Sequence, residues 1–326
     1  MKPSITARID NITRIPEEYR NTVLPAPKAV KIELTARCDL QCFFCATGMR
    51  LRKVGDIDFE FLCKILTDMR QSGVEEIGMF YLGESFLYPK LADAIWYAKH
   101  RCGFPYVFLT TNGRMATEEK IYECVKAGLD SLKFSFNSGS REQFKETTKV
   151  DGFDKVVAHI KSARTAVDKV EKETGHKCGV YASSILYYDD QRDRMQKAID
   201  EITPFVDEHY FLPLYGQAGL TAGVRGTKPV AGNIGRIGAL RDSLPCWAVF
   251  TEGHVTYDGK LSACCFDHDG RFDMGDLNQM PFMAAWNSEK FQTLRAANLK
   301  KDVTGTACEM CIAYAGPKKQ VTQISK

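Results

Sequence analysis

Between residues 29 and 215, short apolar stretches rich in β-branched and aromatic residues alternate with longer amphipathic stretches. The strand-like stretches are AVKIELTA, VEEIGMFYLG, PYVFLTTNG, DSLKFSFNS, KCGVYASSILY and DEHYFLPLY, and helical patterns separate them. Six such β–α repeats predict a parallel sheet with helices outside it. Right-handed crossovers curl this sheet toward a barrel, complete or partial, and the chemistry of such folds lies at the carboxyl ends of the strands.

Composition and charge restrict the expected location and partners of the protein. The chain has 326 residues, 44% of them hydrophobic, and a net charge of +3 with acids and bases interspersed, which argues against a nucleic-acid partner. Its first residues are polar and no run of about 18 apolar residues occurs, so we expect neither a signal peptide nor a membrane partner. Twelve cysteines without a secretory signal indicate a reducing, cytoplasmic location, where several of them are metal ligands or buried side chains.

Three of the cysteines fall within eight residues, directly after the first predicted strand. Cys38, Cys42 and Cys45 have the spacing C-x3-C-x2-C. A structural zinc site usually has four protein ligands, and a cubane iron–sulfur cluster has four irons to ligate. A loop with three thiolates therefore leaves one iron of such a cluster open to a substrate or a cofactor.

A second group of cysteines lies near the carboxyl end of the chain: Cys246, Cys264, Cys308 and Cys311. The sequence VTYDGKLSAC predicts a β-hairpin that turns at Asp258-Gly259 and brings the first two of these cysteines together. Four converging thiolates suit either zinc or an iron–sulfur cluster. Cys265 adjoins Cys264, and the spacing G-x4-C favours Cys264 as the ligand.

The triplet, with Phe44 before its last cysteine, resembles the radical SAM superfamily, and the resemblance covers roughly residues 28 to 220. It implies a partial (β/α)6 TIM-like barrel in which the three cysteines hold a [4Fe–4S] cluster whose open iron binds S-adenosylmethionine. In this family, reduction of the cluster cleaves S-adenosylmethionine to a 5′-deoxyadenosyl radical, which abstracts a hydrogen atom from substrate carbon. The cofactor supplies that chemistry, and the protein positions and shields it.

The same resemblance assigns cofactor contacts to other loops at the carboxyl ends of the strands. The sequence LGES aligns with the family's Gly-Gly-Glu-Pro motif, whose backbone receives the methionyl amine, so Gly83 and Glu84 are expected to bind the cofactor. Leu82 and Ser85 depart from the first glycine and the proline of that motif. Contacts to the ribose and the carboxylate are expected near the ends of strands three to five, from Asn112, Ser135, Ser183 and Ser184.

The second cysteine group resembles the auxiliary-cluster extension called SPASM, and AAWNSEKFQTLR is typical of its middle. No cysteine follows Cys311, so the extension resembles the shortened form, twitch, which has a single auxiliary [4Fe–4S] cluster saturated by four cysteines. We therefore predict an N-terminal extension, the barrel, a linker, and a small C-terminal hairpin-and-helix domain with its tail, over residues 1–28, 29–220, 221–240 and 241–326.

A closed auxiliary cluster suits electron transfer better than substrate ligation. Twitch-bearing proteins resembling the 2-deoxy-scyllo-inosamine dehydrogenase of aminocyclitol antibiotic synthesis oxidise an alcohol carbon with such a cluster as electron acceptor. We therefore predict a dehydrogenase-type oxidoreductase for a sugar-like or aminocyclitol-like small molecule, reduced by a flavodoxin or a ferredoxin. The candidates for the base and for polar contacts to the substrate are Tyr181, His209, Tyr210 and Tyr215.

Three alternatives stay open. Many SPASM proteins cross-link or epimerise peptides, although only 28 residues precede the first predicted strand, where a peptide-recognition domain often lies; an epimerase would use Cys178 or Cys265 to return a hydrogen atom. GTP cyclisation in molybdenum cofactor synthesis uses three C-terminal cysteines and an Arg/Gly-rich tail, whereas this tail reads AGPKKQVTQISK. A zinc-binding module predicts neither bound iron nor cleavage of S-adenosylmethionine, and it leaves the β–α repeats unexplained.

Overall fold

The computed structural model describes residues 4–230, 242 and 244–311. Its centre is a set of parallel strands, one for each predicted strand: β1 (Ala29–Ile32), β2 (Glu76–Gly78), β3 (Tyr106–Thr111), β4 (Ser131–Ser135), β5 (Gly179–Leu186) and β6 (Glu208–Pro213). Each of these strands pairs in parallel with its neighbours in sequence. The predicted α/β fold with a parallel sheet is thus confirmed.

The α-helices are α1 (Ile5–Thr13), α2 (Phe59–Gln71), α3 (Leu91–Trp96), α4 (Glu118–Lys126), α5 (Arg141–Thr148), α6 (Phe153–Thr174), α7 (Gln191–Ile202), α8 (Phe282–Trp286) and α9 (Glu289–Leu299). Local signals set several of their ends: Asp58 accepts the amide of Phe61 at the start of α2, and Gly175 ends α6 in the left-handed region. Residues 282–299 form two helices rather than one, because Ser288 caps the second one.

The C-terminal extension continues the barrel sheet. Its strands are β7 (Glu252–Val255), β8 (Lys260–Ser262) and β9 (Asp273–Asp276). The order across the sheet is β6-β5-β4-β3-β2-β1-β7-β8-β9. β7 lies parallel to β1, with Lys31 opposite His254, and pairs antiparallel with β8 through the predicted turn at Asp258-Gly259. The extension is therefore fastened to the barrel by backbone hydrogen bonds along β1.

Helix α1 closes the amino end of the barrel, a contact that the sequence did not predict. Glu208, the first residue of β6, accepts hydrogen bonds from the Ser4 and Thr6 hydroxyls and from the Ile5 amide. Arg8 pairs with Glu76, the first residue of β2, at 2.6 Å. Both carboxylates stand at amino ends of strands, so α1 lies across that end of the barrel.

The boundaries of the four predicted segments stay predictions. Residues 221–230 of the predicted linker contain a short turn of 3-10 helix, Val224–Gly226. Residues 231–240 of that linker and the tail from residue 312 lie outside the described part of the chain. In the described part, no helix combines the length and the apolar character needed to cross a membrane.

We expect Glu208→Ala to release α1 while the barrel stays folded. A nine-residue helix is not stable by itself, and the substitution removes three hydrogen bonds to a carboxylate, costing about 2 kcal/mol in docking free energy. Amide hydrogen exchange should rise at least tenfold over residues 5–13 alone. Glu201→Ala, which removes a surface pair with Lys161, is the control; equal exchange in the two variants would contradict the assignment.

Candidate active site and auxiliary metal centre

The three-cysteine loop follows β1 and is held at the barrel mouth by its neighbours. The amides of Gln41 and Phe43 donate to the carbonyls of Thr148 and Thr147 at the end of α5. Asp39 accepts from Arg114 at 2.7 Å and from the Asn112 side chain at 2.8 Å, both after β3. The loop is therefore shaped by protein contacts on two sides.

The thiols of this loop form a compact, largely buried group. Burial raises the pKa of Cys38 to about 12 and raises the pKa of Cys42 well above its ordinary value, and the charges of the other two cysteines add to the effect on Cys42. Bound iron would favour the thiolate form that this environment opposes. No described group of three His, Cys, Asp or Glu side chains is arranged to hold a single metal ion. Three mutually close thiols on one loop fit the three-cysteine side of a [4Fe–4S] cluster.

The LGES turn is fixed at Gly83 by close contact with backbone atoms. A Cβ atom at this position would lie 2.0 Å from the Thr35 carbonyl oxygen and 2.8 Å from that of Arg37. The turn also donates the Glu84 amide to the Arg37 carbonyl at 2.8 Å. The backbone after β2 thus packs directly on the backbone that leads into the cysteine loop, and only glycine permits that approach.

The Glu84 side chain joins two loops of the barrel mouth. Its buried carboxylate accepts hydrogen bonds from the Thr111 hydroxyl, the Asn112 amide and the Phe86 amide at 2.7, 2.7 and 3.1 Å. Burial raises the pKa of Glu84 to about 7, against the lowering effect of these donors. The carboxylate is therefore engaged by the protein, and a contact of this turn with the cofactor stays a prediction.

Phe44 and the predicted serines take up different positions around the mouth. Phe44 is buried and stacks on Tyr187 with ring centroids 5.7 Å apart. Ser135 and Ser183 are register partners near the ends of β4 and β5. Ser184 points to the opposite face of β5, where its hydroxyl donates to the Phe136 carbonyl and meets His209 at 2.9 Å.

The four predicted polar candidates do not share one face of the sheet. His209 lies beside Arg192 of α7, which with burial lowers the pKa of that histidine to about 4. Tyr181 and Tyr210 pack with Ile5 inside the barrel, and the Tyr210 hydroxyl is 3.5 Å from the Lys133 ammonium. Tyr215 contacts Phe266, beside the auxiliary cysteines, with ring centroids 5.7 Å apart.

A cavity of about 110 Å³ lies inside the barrel, between α1 and the inner faces of the strands. Its lining combines hydroxyl, ammonium, carboxylate and aromatic groups, among them Lys31, Phe80, Phe108, Thr110, Lys133 and Glu252. Lys31 donates to Glu252 at 2.8 Å. The lumen therefore presents polar and apolar groups together.

The C-terminal cysteines converge on a second site. One cavity is lined by Cys246, Cys264, Cys265, Cys308 and Cys311 together with buried Trp247, Val249 and Phe272. Burial, opposed by a backbone hydrogen bond and reinforced by nearby thiols, raises the pKa of Cys246 well above its ordinary value. The Phe266 amide donates to the Cys264 sulfur at 3.4 Å, and the Cys264 pKa is raised by its hydrogen bond to Cys265 and by burial. Four of these thiols line one cavity as the cysteine ligands of a [4Fe–4S] cluster would, and Cys265 lies at the same cavity.

Two residues between the two thiol groups were not among the predicted site residues. Tyr81 precedes the LGES turn, donates its hydroxyl to the Cys264 carbonyl, and packs on His254 with ring centroids 5.2 Å apart. His268 is buried; its Nε2 lies 2.8 Å from Gln217, and its Nδ1 lies 3.4 Å from Thr47 of the first loop. Each is a lone residue without a spacing pattern, so only tertiary packing reveals it.

Two family models match the chain. Residues 32–176 match the Radical SAM superfamily, and residues 246–312 match the iron-sulfur cluster-binding domain SPASM. The chain therefore belongs to the radical SAM superfamily. Within it, the C-terminal domain places the chain in the SPASM/twitch-type subgroup, so its cofactors are S-adenosylmethionine with a [4Fe–4S] cluster and an auxiliary iron–sulfur centre.

Curated relatives include proteins named as cyclases. A GTP 3′,8-cyclase of Chlorobaculum tepidum is 30% identical over 127 residues, which are 39% of this chain and 38% of that protein. A probable GTP 3′,8-cyclase of Saccharolobus solfataricus is 25% identical over 324 residues, covering 88% of this chain and 94% of that protein. The first alignment thus spans well under half of the relative, and the second spans nearly all of it.

Solved structures share the fold at low sequence identity. BtrN in complex with AdoMet and 2-DOIA has a TM-score of 0.55 at 13% identity, covering 84% of this chain and 87% of that one. Streptococcus suis SuiB bound to S-adenosylmethionine has a TM-score of 0.64 at 14% identity, covering 85% and 69%. Native anSMEcpe with bound AdoMet and the Cp18Cys peptide has a TM-score of 0.56 at 13% identity, covering 83% of each.

We expect Gly83→Ala to disrupt cofactor binding. The added methyl group meets backbone oxygen, which cannot move without displacing the cysteine loop, so affinity for S-adenosylmethionine should fall at least tenfold and iron content should drop. Equilibrium binding and iron analysis of the anaerobically reconstituted protein test this. Gly48→Ala is the matched control, because a Cβ there meets nothing within 4 Å; equal binding by both variants would refute the argument.

Removing the three thiols of the first loop should remove one cluster only. Cubane clusters carry four irons each, so we expect about eight irons per chain in the wild type and about four in the variant C38A/C42A/C45A. Iron and sulfide analysis with EPR spectroscopy gives the count. Loss of all iron from that variant would show that the two centres are not independent.

Proposed function

We propose that this chain is an oxidoreductase that converts an alcohol carbon of a small polar molecule to a carbonyl. The observation that carries the proposal is the enclosure of the auxiliary thiols. They share their cavity with buried apolar side chains such as Trp247 and Val249. Four cysteines saturate a [4Fe–4S] cluster, and a saturated cluster among apolar side chains suits electron transfer rather than substrate binding.

When bound, the first cluster with S-adenosylmethionine supplies the hydrogen-atom acceptor, and the auxiliary cluster supplies the electron acceptor. Oxidation of H–C–OH to C=O then requires the protein to take the hydroxyl proton, so that one hydrogen atom, one electron and one proton leave. Tyr210 meets this need by position, because its hydroxyl lies inside the barrel next to the Lys133 ammonium. The proton acceptor is the phenolate form of Tyr210, which the adjacent ammonium favours and which becomes a neutral phenol when it takes the hydroxyl proton.

Residues that line the lumen would supply the contacts to the substrate. Thr110 and the Lys31–Glu252 pair offer hydrogen bonds to hydroxyl or amino groups. Phe80 and Phe108, which meet edge to face with ring centroids 5.6 Å apart, contribute apolar surface. BtrN, whose structure contains AdoMet and 2-DOIA, has the same fold over most of both chains. These features support a sugar-like or aminocyclitol-like substrate.

GTP cyclisation is the second candidate. It is favoured by the alignment with probable GTP 3′,8-cyclases over nearly their whole length. The lysines of the lumen, Lys31 and Lys133, also suit an anionic substrate. Against it stand the four converging cysteines, which leave no open iron for a nucleotide, and the tail sequence, which lies outside the described residues.

Deuterium transfer distinguishes the two functions. The reconstituted enzyme is incubated with S-adenosylmethionine, dithionite and either GTP or a panel of carbinol-deuterated polyols and aminocyclitols. We expect deuterium in 5′-deoxyadenosine and a product two mass units lighter than the protiated alcohol. C308A/C311A should still cleave S-adenosylmethionine but form no carbonyl product. Turnover of GTP with no alcohol oxidised would replace the proposal by cyclisation.

Within this proposal, Tyr210→Phe should lower kcat about a hundredfold, the usual contribution of a positioned proton acceptor. Its KM should change little, since the aromatic ring remains. His209→Gln is the comparison, because that imidazole belongs to the adjacent residue and faces α7. Equal rates for the two variants, measured by product mass spectrometry, would remove Tyr210 from the mechanism.

A further inference from the structure

Exposed apolar side chains concentrate directly after the three-cysteine loop. Of the six large hydrophobic side chains that are exposed in the described residues, three fall within six positions: Met49, Leu51 and Val54, which are 45%, 47% and 56% exposed. Single exposed hydrophobic residues are ordinary, whereas three within six residues of one loop make this segment a candidate interaction site. We call residues 49–54 the 49–54 surface.

The 49–54 surface is also positively charged. Residues 40–55 contain no acid and three cations, Arg50, Arg52 and Lys53. Arg52 is engaged below the surface by Glu33, at 2.8 and 3.0 Å. Arg50 and Lys53 are exposed, and the described residues provide neither with an ion-pair partner within 4 Å. The surface therefore combines apolar side chains with two outward cations.

Contacts at both ends hold this surface in place. Thr47 donates to the Leu82 carbonyl at 3.0 Å and adjoins His268. Arg37 binds Asp56 through two hydrogen bonds of 3.0 and 2.6 Å, and the Ala36 amide donates to the Gly55 carbonyl at 2.9 Å. A preformed surface loses less conformational entropy on binding than a disordered segment does.

The position of the surface indicates what it binds. Met49 follows Cys45 by four residues, so their Cα atoms are at most about 14 Å apart, and the Cys45 thiol contacts Thr47 at 3.3 Å. A cluster that donates electrons must be recharged by a one-electron donor, and the thiols that hold it here are largely buried. Electron-transfer encounters use small interfaces in which opposite charges guide approach.

We propose that the 49–54 surface docks an acidic one-electron carrier protein, which reduces the cluster held by Cys38, Cys42 and Cys45. Its acidic residues meet Arg50 and Lys53, and its apolar rim covers Met49, Leu51 and Val54. The proposal rests on the radical SAM assignment and is independent of the alcohol oxidation proposed above.

The test compares two reductants on the same holoenzyme. Formation of 5′-deoxyadenosine is measured with dithionite, which needs no docking surface, and with purified flavodoxin plus its NADPH-dependent reductase. The readouts are the ratio of the flavodoxin-driven rate to the dithionite-driven rate and the Kd of flavodoxin for the protein, measured by calorimetry. For R50E/K53E we expect this ratio to fall at least tenfold, and the wild-type flavodoxin rate to fall with added salt.

Two further variants keep the test decisive. K155E/K172E makes the same charge change on exposed positions of α6 and should keep the wild-type ratio. L51D/V54D tests the apolar half of the surface and should lower the ratio even if the charge variant loses iron. A ratio equal to wild type in both 49–54 variants, or a wild type that flavodoxin does not reduce, would overturn the proposal. Failure of alcohol oxidation leaves these readouts unaffected.

Discussion

The close approach of Gly83 to the Thr35 carbonyl determines how the barrel mouth is built. Two backbone segments meet there without an intervening side chain, and the Glu84 amide bonds to the Arg37 carbonyl beside them. The Glu84 carboxylate then reaches Thr111 and Asn112 after the third strand, and Asn112 returns to Asp39 in the cysteine loop. Three loops are thus closed into one ring of contacts, so the cysteines and the turn expected to bind S-adenosylmethionine keep a fixed mutual arrangement.

The parallel β–α sheet and the convergence of the C-terminal cysteines were predictable, because they depend on local patterns. These patterns can be read from the sequence without knowledge of tertiary contacts. They are apolar runs of strand length, glycine after helices and cysteine spacing. The LGES turn is an instructive case. Leu82 and Ser85 differ from the family motif, yet Ser85 is accommodated by a hydrogen bond to the Met79 carbonyl at 2.6 Å. Gly83, where backbone atoms exclude a side chain, is one of the two positions at which this chain keeps the motif.

Other features could not be predicted, because tertiary packing decides them. Helix α1 is only nine residues long, and its docking depends on Glu208, about two hundred positions away. The orientation of His209 and Tyr210 was hidden because β5, which pairs with their strand, is buried on both faces over Gly179–Ser184. Without alternating polarity, the sequence does not show which residues face the lumen. Tyr81 and His268 likewise carry no spacing signal.

The parallel pairing of β1 with β7 has a consequence for how the two metal centres work together. One strand leads into the first cysteine loop, and the other leads through a hairpin into Cys264. Both cysteine groups therefore follow strands of a single hydrogen-bonded sheet, and this sheet fixes the distance between them. Tunnelling falls off steeply with distance, so a fixed spacing gives every molecule the same electron-transfer rate. In the oxidation proposed above, the second electron then reaches the auxiliary centre without any domain having to close first.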